Sequence, residues 1–225
     1  MGKYDLNINM NNKNSSHTLV MEQIKPESRV LELGCATGYM TRYMNEKFGC
    51  TVDIVDIDAY SLHKAREYAH DSYCDDLDNG AWFLHYYTGN NEYDYILFAD
   101  VLEHLKDPLT VLNWAVRLLK KNGKIIISIP NICHNDIIIQ LFYDHFRYTD
   151  LGLLDNTHIH FWGREDFIQM AEKAGLKVTD TRTVIFPTQG TEQRYDTRVN
   201  GELMRLLMDR PYGEVYQWVF TCEKR

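Results

Sequence analysis

A glycine-containing turn in the first quarter of the chain is the first feature that could do chemistry. The segment from Val30 to Thr41 reads V-L-E-L-G-C-A-T-G-Y-M-T, a short apolar strand that runs into a turn and then into a helix. Gly34 and Gly38 allow the backbone to approach a ligand closely and to adopt conformations that are closed to other residues. Glu32 precedes the turn, and its carboxylate can accept hydrogen bonds from an ammonium group.

Histidines are concentrated in segment 130–163, after the fifth predicted strand. Imidazole exchanges a proton readily near neutral pH, so these residues can activate a hydroxyl nucleophile. We take His158 as the first candidate base and His134 as the second. Asp155 lies three residues before His158 and can either orient an imidazole or form a local turn. Other histidines and carboxylates of the segment are His145, His160, Asp136 and Asp144.

The elements around these residues predict a parallel sheet. Short apolar or β-branched runs alternate with helix-like spacing, which is typical of a sheet that is covered on both faces. The carboxyl ends of such strands are where open α/β sheets bind ligands. Predicted strands span 29–33, 51–56, 93–99, 124–129, 176–186 and 214–222, predicted helices span 39–48, 59–70, 108–120, 164–174 and 202–208, and Asn122-Gly123 is a predicted turn.

No linker or internal repeat divides the sequence, so we expect a single domain over residues 1–225. Within it we expect an N-terminal lid or helix region at 1–27 and two acceptor-site insertions at 130–163 and 187–212. Long connections in compact domains are usually functional or disordered, and the first insertion is rich in histidine and aromatic residues.

Composition excludes several functional classes. The 225 residues include 24 Lys and Arg against 32 Asp and Glu, and the net charge of −8 argues against a nucleic-acid partner. No run approaches the about 20 apolar residues of a membrane span, and the polar first 16 residues predict no signal peptide. Five scattered cysteines fit a reducing compartment. We therefore expect a cytoplasmic protein, either a monomer or a homodimer.

Four segments, in order along the chain, resemble the class I S-adenosylmethionine-dependent methyltransferases. The turn at 32–38 is similar to their motif I, with Ala36 in place of a middle glycine. Asp56 ends the second predicted strand, C-D-D-L at 74–77 is similar to the family's third-strand segment, and D-V-L-E-H-L-K-D-P at 100–108 is very close to the string after its fourth strand. A dehydrogenase is disfavoured because the third glycine of G-x-G-x-x-G is missing.

The resemblance implies S-adenosylmethionine as cofactor and a Rossmann-like α/β fold. This fold has a seven-stranded, mostly parallel sheet with helices on both faces and an antiparallel last strand. Asp56 would receive the ribose hydroxyls, and Asp76 the adenine amino group between Leu77 and Val101. The implied cofactor-binding residues are Glu32, Gly34, Cys35, Ala36, Gly38, Asp56, Ile57, Asp76, Leu77, Asp100, Val101 and His17.

Several residues near these motifs have a simpler interpretation. Asp58 is expected to cap a helix, and Cys35 is expected to be a small turn residue rather than a nucleophile. Glu103 and His104 can act in the site or only organise the loop. The metal ligands of catechol methyltransferases do not occur at matching positions, so we predict no metal site.

A second resemblance concerns the acceptor. P-N-I-C-H at 130–134 and G-L-L-D-N-T-H-I-H-F-W at 152–162 are similar to strings of a bacterial subgroup often associated with polysaccharide and glycoconjugate synthesis. N-S-S-H at 14–17 also resembles that subgroup and is expected to lie over the cofactor as a lid. The implied acceptor is a small molecule or glycan-linked hydroxyl, such as that of a sugar. The alternatives are O- or N-methylation of a quinone precursor or small natural product, and a binding module without catalysis.

Overall fold

A seven-stranded sheet forms the centre of the computed structural model, which describes residues 8–89 and 92–225. Its strand order is β3-β2-β1-β4-β5-β7-β6. The strands are β1 (Arg29–Leu33), β2 (Thr51–Asp56), β3 (Asp71–Cys74), β4 (Tyr93–Ala99), β5 (Leu119–Pro130), β6 (Leu176–Ile185) and β7 (Val215–Lys224). Strands β1 to β5 pair in parallel, and β7 lies between β5 and β6 and is antiparallel to both. The predicted fold class is confirmed.

Eight helices surround the sheet in the part of the chain that the structure describes. They are α1 (Ser16–Met21), α2 (Tyr39–Phe48), α3 (Ala59–Ala65), α4 (Ala81–Tyr86), α5 (Pro108–Leu118), α6 (Asn135–Phe142), α7 (Arg164–Lys173) and α8 (Gly201–Met208). The predicted N-terminal lid region, 1–27, is described from residue 8 onward, and residues 1–7 lie outside the described residues.

Both faces of the sheet are buried, which explains why its central strands are almost continuously apolar. On one face, Leu31 and Phe98 pack in a cluster with residues of α4, α5 and α7. On the other face, Val30 and Leu97 pack with residues of α1, α2 and α3. Successive strand residues point to opposite faces, so each central strand contributes to both clusters.

The structure differs from the sequence predictions at several elements. Strand β5 begins at Leu119, and the predicted turn at Asn122-Gly123 lies inside it, at a shift in register against β4. Helix α3 ends at Ala65 and continues as a 3-10 turn over Arg66–Tyr68. Helix α6 was not predicted, because its apolar residues form a short run that periodicity alone does not assign.

The two predicted insertions are hydrogen-bonded to each other, and we refer to segments 130–163 and 187–212 together as the cap. The carboxylate of Asp136 on α6 accepts from the backbone N–H groups of Gln189 at 2.6 Å and Thr191 at 3.1 Å. Gln140 donates to the carbonyl oxygen of Gln193 at 3.0 Å. The cap leaves the sheet where Asn131 follows β5 and donates to the carbonyl oxygen of Val215 at 2.7 Å.

A buried carboxylate connects the amino ends of the strands, at the edge of the sheet opposite the glycine turn. Asp53 on β2 is fully buried and accepts from Arg29 at 2.9 Å, from the Tyr93 hydroxyl at 2.7 Å and from His70 at 2.9 Å. Arg29 begins β1 and Tyr93 begins β4, so one side chain links three neighbouring strands.

We predict that Asp53→Asn destabilises the fold by about 2–4 kcal/mol, because an amide donor then faces buried donors and the Arg29 charge loses the nearer of its two acidic partners. Urea denaturation should show a lower midpoint with an unchanged slope. The control is Glu223→Gln, which breaks an exposed 3.1 Å pair with Lys124 and should cost less than about 1 kcal/mol. Equal midpoints for the two variants would contradict the structural role of Asp53.

Candidate functional site

The turn between β1 and α2 adopts the backbone conformation that its glycines allow. Gly34, Ala36 and Gly38 have φ angles of 78°, 48° and 78°, all in the left-handed region. The N–H of Gly34 donates to the Val55 carbonyl at 2.8 Å, and the N–H of Ala36 donates to Asp56 Oδ2 at 2.7 Å. Ala36 therefore preserves the conformation for which glycine is the easiest residue.

Two of these glycines also make room for neighbouring elements. A Cβ atom at Gly34 would lie 2.5 Å from Val101 Cγ2, and one at Gly38 would lie 2.5 Å from the Ala65 Cβ atom. Neither position accepts a side chain without movement of its neighbour. The close approach at Gly34 brings the turn after β1 directly against the loop after β4.

Two carboxylates flank this turn. Glu32 is buried and accepts from the Thr41 hydroxyl at 2.6 Å. Burial raises the pKa of Glu32 to about 8, the Thr41 hydrogen bond lowers it, and the negative charge of Asp56 raises it. Asp56 is half-buried, accepts from the N–H of Asp58 at 2.8 Å through Oδ1, and has its pKa raised by burial. An ammonium group beside Glu32 would offset the burial of that carboxylate.

The predicted adenine-binding residues lie after β2 and β3. Ile57 is 68% exposed, an unusual position for a branched apolar side chain and one that suits a flat apolar ligand. Asp76 accepts from the N–H of Asp78 at 3.0 Å and caps the 3-10 turn Leu77–Asn79, which leaves its second oxygen as an acceptor. Leu77 is buried among core residues. The adenine roles of Asp76 and Leu77 stay predictions.

Asp58 and Cys35 have the simpler roles expected of them. Asp58 caps α3 by accepting from the N–H groups of Tyr60 and Ser61, both at 3.2 Å. Cys35 is 1% exposed, and burial raises the pKa of its thiol, so a thiolate nucleophile is disfavoured there.

Asp100 lies at the end of β4 with a φ of 56°, again in the left-handed region. Its Oδ1 accepts from the Ser128 hydroxyl at 2.8 Å and from the Gln217 amide at 2.7 Å, which fixes the carboxylate against β5 and β7. His17 on α1 lies 2.9 Å from the Tyr39 hydroxyl. Burial lowers the pKa of His17, and the negative charge of Asp100 opposes this. The structure thus brings His17 to the same edge as Asp100.

The first candidate base lies beside a buried carboxyl. His158 is 8% exposed, its Nδ1 lies 3.4 Å from the Leu153 carbonyl oxygen, and its Nε2 lies 4.0 Å from Glu103 Oε1. Donation from Nδ1 to Leu153 leaves Nε2 as the acceptor atom. Burial lowers the pKa of His158, and the neighbouring His104 lowers it further, so the imidazole is neutral at pH 7.

His134, the second candidate base, has a structural role. It is fully buried, its Nδ1 accepts from the N–H of Asp136 at 3.1 Å at the start of α6, and its Nε2 lies 3.0 Å from the Phe186 carbonyl oxygen. Both ring nitrogens are therefore used within the protein, and none is left for a substrate proton. Asp155 forms the local turn, accepting from the N–H of Thr157 at 2.9 Å.

Glu103 is the residue whose importance the sequence left undecided. It is 1% exposed, and neither carboxyl oxygen has a hydrogen-bond partner among the described residues. The ligand atoms of Glu103, His104 and His158 lie within 4.8 Å of one another. Their spacing in the sequence did not show this grouping, because His158 belongs to the cap and reaches the loop after β4 only in the fold.

The glycine turn, the buried carboxylates and the exposed Ile57 together fit a ligand that carries an ammonium group, neighbouring hydroxyls and a flat ring. Gly34 and Gly38 leave no room for side chains, and Glu32 has a desolvated carboxylate for a cation. S-Adenosylmethionine has these groups.

In the described part of the chain, no helix is long and apolar enough to cross a membrane.

Comparison with known proteins is consistent with this site. A family model described as a methyltransferase domain matches residues 8–181. The chain is 30% identical over 213 residues to phosphoethanolamine N-methyltransferase 1 of Arabidopsis thaliana, covering 89% of this chain and 43% of that protein. It is 24% identical over 160 residues to ubiquinone biosynthesis O-methyltransferase of Aeromonas salmonicida, covering 68% and 64%.

The chain spans 64%, 24% and 43% of the lengths of three curated relatives that it matches. Among solved structures, a SAM-dependent methyltransferase from Archaeoglobus fulgidus aligns with a TM-score of 0.65 at 17% identity, covering 96% of this chain and 95% of that chain. The [4+2]-cyclase SpnF aligns with a TM-score of 0.62 at 16% identity, covering 94% and 81%. These two structures show the fold alone.

The matched model covers most of the chain, including the glycine turn, the carboxylates after β2 and β4, and His158. The chain therefore belongs to the methyltransferase domain family, and it shares its fold with a SAM-dependent methyltransferase of known structure.

Proposed function

We propose that this protein transfers a methyl group from S-adenosylmethionine to a hydroxyl of a sugar or related bacterial surface-glycan metabolite. One observation carries the proposal for an oxygen acceptor: the acceptor nitrogen of the neutral His158 imidazole lies 4.0 Å from Glu103. Glu103 follows Val101 by two residues, and Val101 packs on the glycine turn. A proton acceptor thus lies beside the predicted cofactor position. An alcohol needs such a group, because it is a poor nucleophile before its proton is removed.

The cofactor supplies a methyl group that is bound to a sulfonium sulfur, and this sulfur leaves as a neutral thioether. The protein holds the acceptor hydroxyl in line with that methyl, an effect worth up to about 7–11 kcal/mol. His158 Nε2 takes the hydroxyl proton as the new carbon–oxygen bond forms and the carbon–sulfur bond breaks. The Leu153 carbonyl oxygen fixes the tautomer and stabilises the imidazolium that results.

The choice of a sugar acceptor rests on the resemblance of segments 130–134 and 152–162 to the glycoconjugate subgroup. A quinone precursor is the second candidate, because ubiquinone biosynthesis O-methyltransferases are among the relatives. N-methylation is less favoured, because an amine that is already unprotonated has no need of the base at His158. A third class of function is a reaction other than methyl transfer, because a cyclase has a similar fold.

Two measurements test the proposed function. Calorimetry should show binding of both S-adenosylmethionine and S-adenosylhomocysteine, and absence of binding to either would indicate a module that has lost the cofactor. A screen with methyl-labelled cofactor should transfer label to hydroxyl acceptors. Label found only on nitrogen would overturn the oxygen assignment.

Asp56 is predicted to hold the ribose hydroxyls. Asp56→Ala removes their acceptor oxygens and also the 2.7 Å contact that steadies Ala36, so we expect cofactor affinity to fall by about 10- to 100-fold. The control is Asp58→Ala, which removes only a helix cap and should leave the affinity unchanged. Calorimetric titration measures the cofactor affinity of both variants. An unchanged dissociation constant in Asp56→Ala would contradict the ribose assignment.

His158→Ala should keep cofactor affinity and lose about 10²- to 10⁴-fold in turnover, because the proton moves only in the transition state. The loss should shrink with more acidic acceptor hydroxyls, which depend less on a base. His160→Ala is the control, since this ring stacks on Trp162 and its Nε2 lies 3.3 Å from the Lys106 carbonyl oxygen. Equal losses for acceptors of all acidities would show that His158 positions the substrate instead.

The pH profile gives an independent test of His158. A base must be unprotonated, and burial together with His104 lowers the pKa of His158 while Asp155, Asp100 and the Leu153 carbonyl raise it. The net lowering predicts that kcat/KM falls on the acid side only below the ordinary imidazole pKa of about 6.5. The acid limb should disappear in His158→Ala. An acid limb above that value, or one that survives the substitution, would assign the titration to another group.

A further inference from the structure

The carboxyl of Glu103 is a buried polar group that the described part of the chain leaves without a partner. Glu103 lies in the 3-10 turn Leu102–His104, is 1% exposed, and has both Oε1 and Oε2 without a hydrogen-bond partner among residues 8–89 and 92–225. Leaving such a group unsatisfied costs about 1–3 kcal/mol. Buried polar groups are almost always paired, so a ligand is the natural partner of this one.

Backbone hydrogen bonds hold Glu103 in position, and they leave its buried carboxyl without a partner among the described residues. Its carbonyl oxygen accepts from the N–H groups of Ile159 at 2.9 Å and His160 at 3.1 Å, which fixes the cap against the loop after β4. Burial and the negative charges of Asp100 and Asp155 raise the pKa of Glu103 well above its ordinary value. The raised pKa favours the protonated carboxyl, which can donate one hydrogen bond as well as accept others.

More hydrogen-bonding groups meet here than one proton transfer requires. Glu103 Oε1 lies 4.0 Å from His158 Nε2, too far for a direct hydrogen bond and near enough for two linked oxygens to contact one group each. His104 is exposed at the same point, and its Nδ1 lies 3.2 Å from the Thr157 carbonyl oxygen. A single hydroxyl placed between His158 Nε2 and Glu103 Oε1 would still leave Glu103 Oε2 without a partner.

We propose that Glu103 binds a second oxygen of the acceptor, on the carbon next to the one whose hydroxyl is methylated. The substrate class is then an acceptor with two neighbouring hydroxyls, as in a sugar diol or a catechol. Oxygens on adjacent carbons lie within hydrogen-bonding distance of each other, so one can reach His158 Nε2 while the other reaches Glu103. This inference rests on the proposed function and makes Glu103 a specificity-determining residue, with His158 remaining the base.

The experiment compares matched acceptors in the wild type and three variants. Methyl hexopyranosides are paired with their single-deoxy derivatives, and catechol is paired with phenol, with methyl-labelled cofactor as donor. For the wild type, kcat/KM should favour the diol member by about 10- to 100-fold. Glu103→Gln, which keeps a donor and an acceptor, should retain most of that preference. Glu103→Leu should bring the ratio of kcat/KM on the two members of a pair close to one, because it loses activity on the diol. The control Glu67→Leu, at an exposed position, should behave as wild type.

Several results would overturn the proposal. Equal losses on both members of a pair in Glu103→Leu would show a structural role only. Activity that a chelator removes and a divalent cation restores would show that Glu103, His104 and His158 are ligands instead. The infrared band of a protonated carboxyl, present in the wild type at pH 7 and absent in Glu103→Gln, tests the acid form without any acceptor, and its absence from the wild type contradicts it. Failure of the proposed function is separate, because cofactor binding or all label transfer would then be missing.

Discussion

The contact between Gly34 and Val101 is the constraint on which the rest of the site depends. A Cβ atom at Gly34 would lie 2.5 Å from the Val101 side chain, so the turn after β1 and the loop after β4 meet with no space to spare. β1 and β4 are adjacent parallel strands, and their carboxyl ends must therefore reach the same edge. Because Glu103 follows Val101 by two residues, this contact also places Glu103, and His158 beside it, near the glycine turn.

The cap depends on the same loop. Backbone hydrogen bonds from Ile159 and His160 to the Glu103 carbonyl oxygen attach the segment after β5 to the loop after β4. His134 and Asp136 fix the start of α6 and join it to the second half of the cap, so their burial has a structural purpose. Histidines that look equivalent in the sequence thus divide into one with a free acceptor nitrogen, His158, and one whose two nitrogens are both occupied, His134.

The central sheet and the glycine turn after β1 were predictable because local patterns determine them. The runs 29–33 and 93–99 have strand length and are followed by the turn residues Gly34 and Asp100. The helix cap at Asp58 follows from one side chain and two nearby N–H groups. The start of β5 was not predictable, because Leu119 to Gly123 becomes a strand only by pairing against β4. The role of His134 was missed for a similar reason: its partner at Phe186 is 52 residues away.

Two residues with strained backbone lie at the edge of the sheet where the strands end. Ala36 and Asp100 are two non-glycine residues with positive φ, at the turns after β1 and β4. Such conformations cost about 1–3 kcal/mol each and persist only where the surroundings determine them. The N–H of Ala36 is held by Asp56, and the carboxylate of Asp100 is held by Ser128 and Gln217. Each strained residue is thus fixed by side chains of neighbouring strands, and the sheet provides the stability that keeps both turns in the shape a ligand needs.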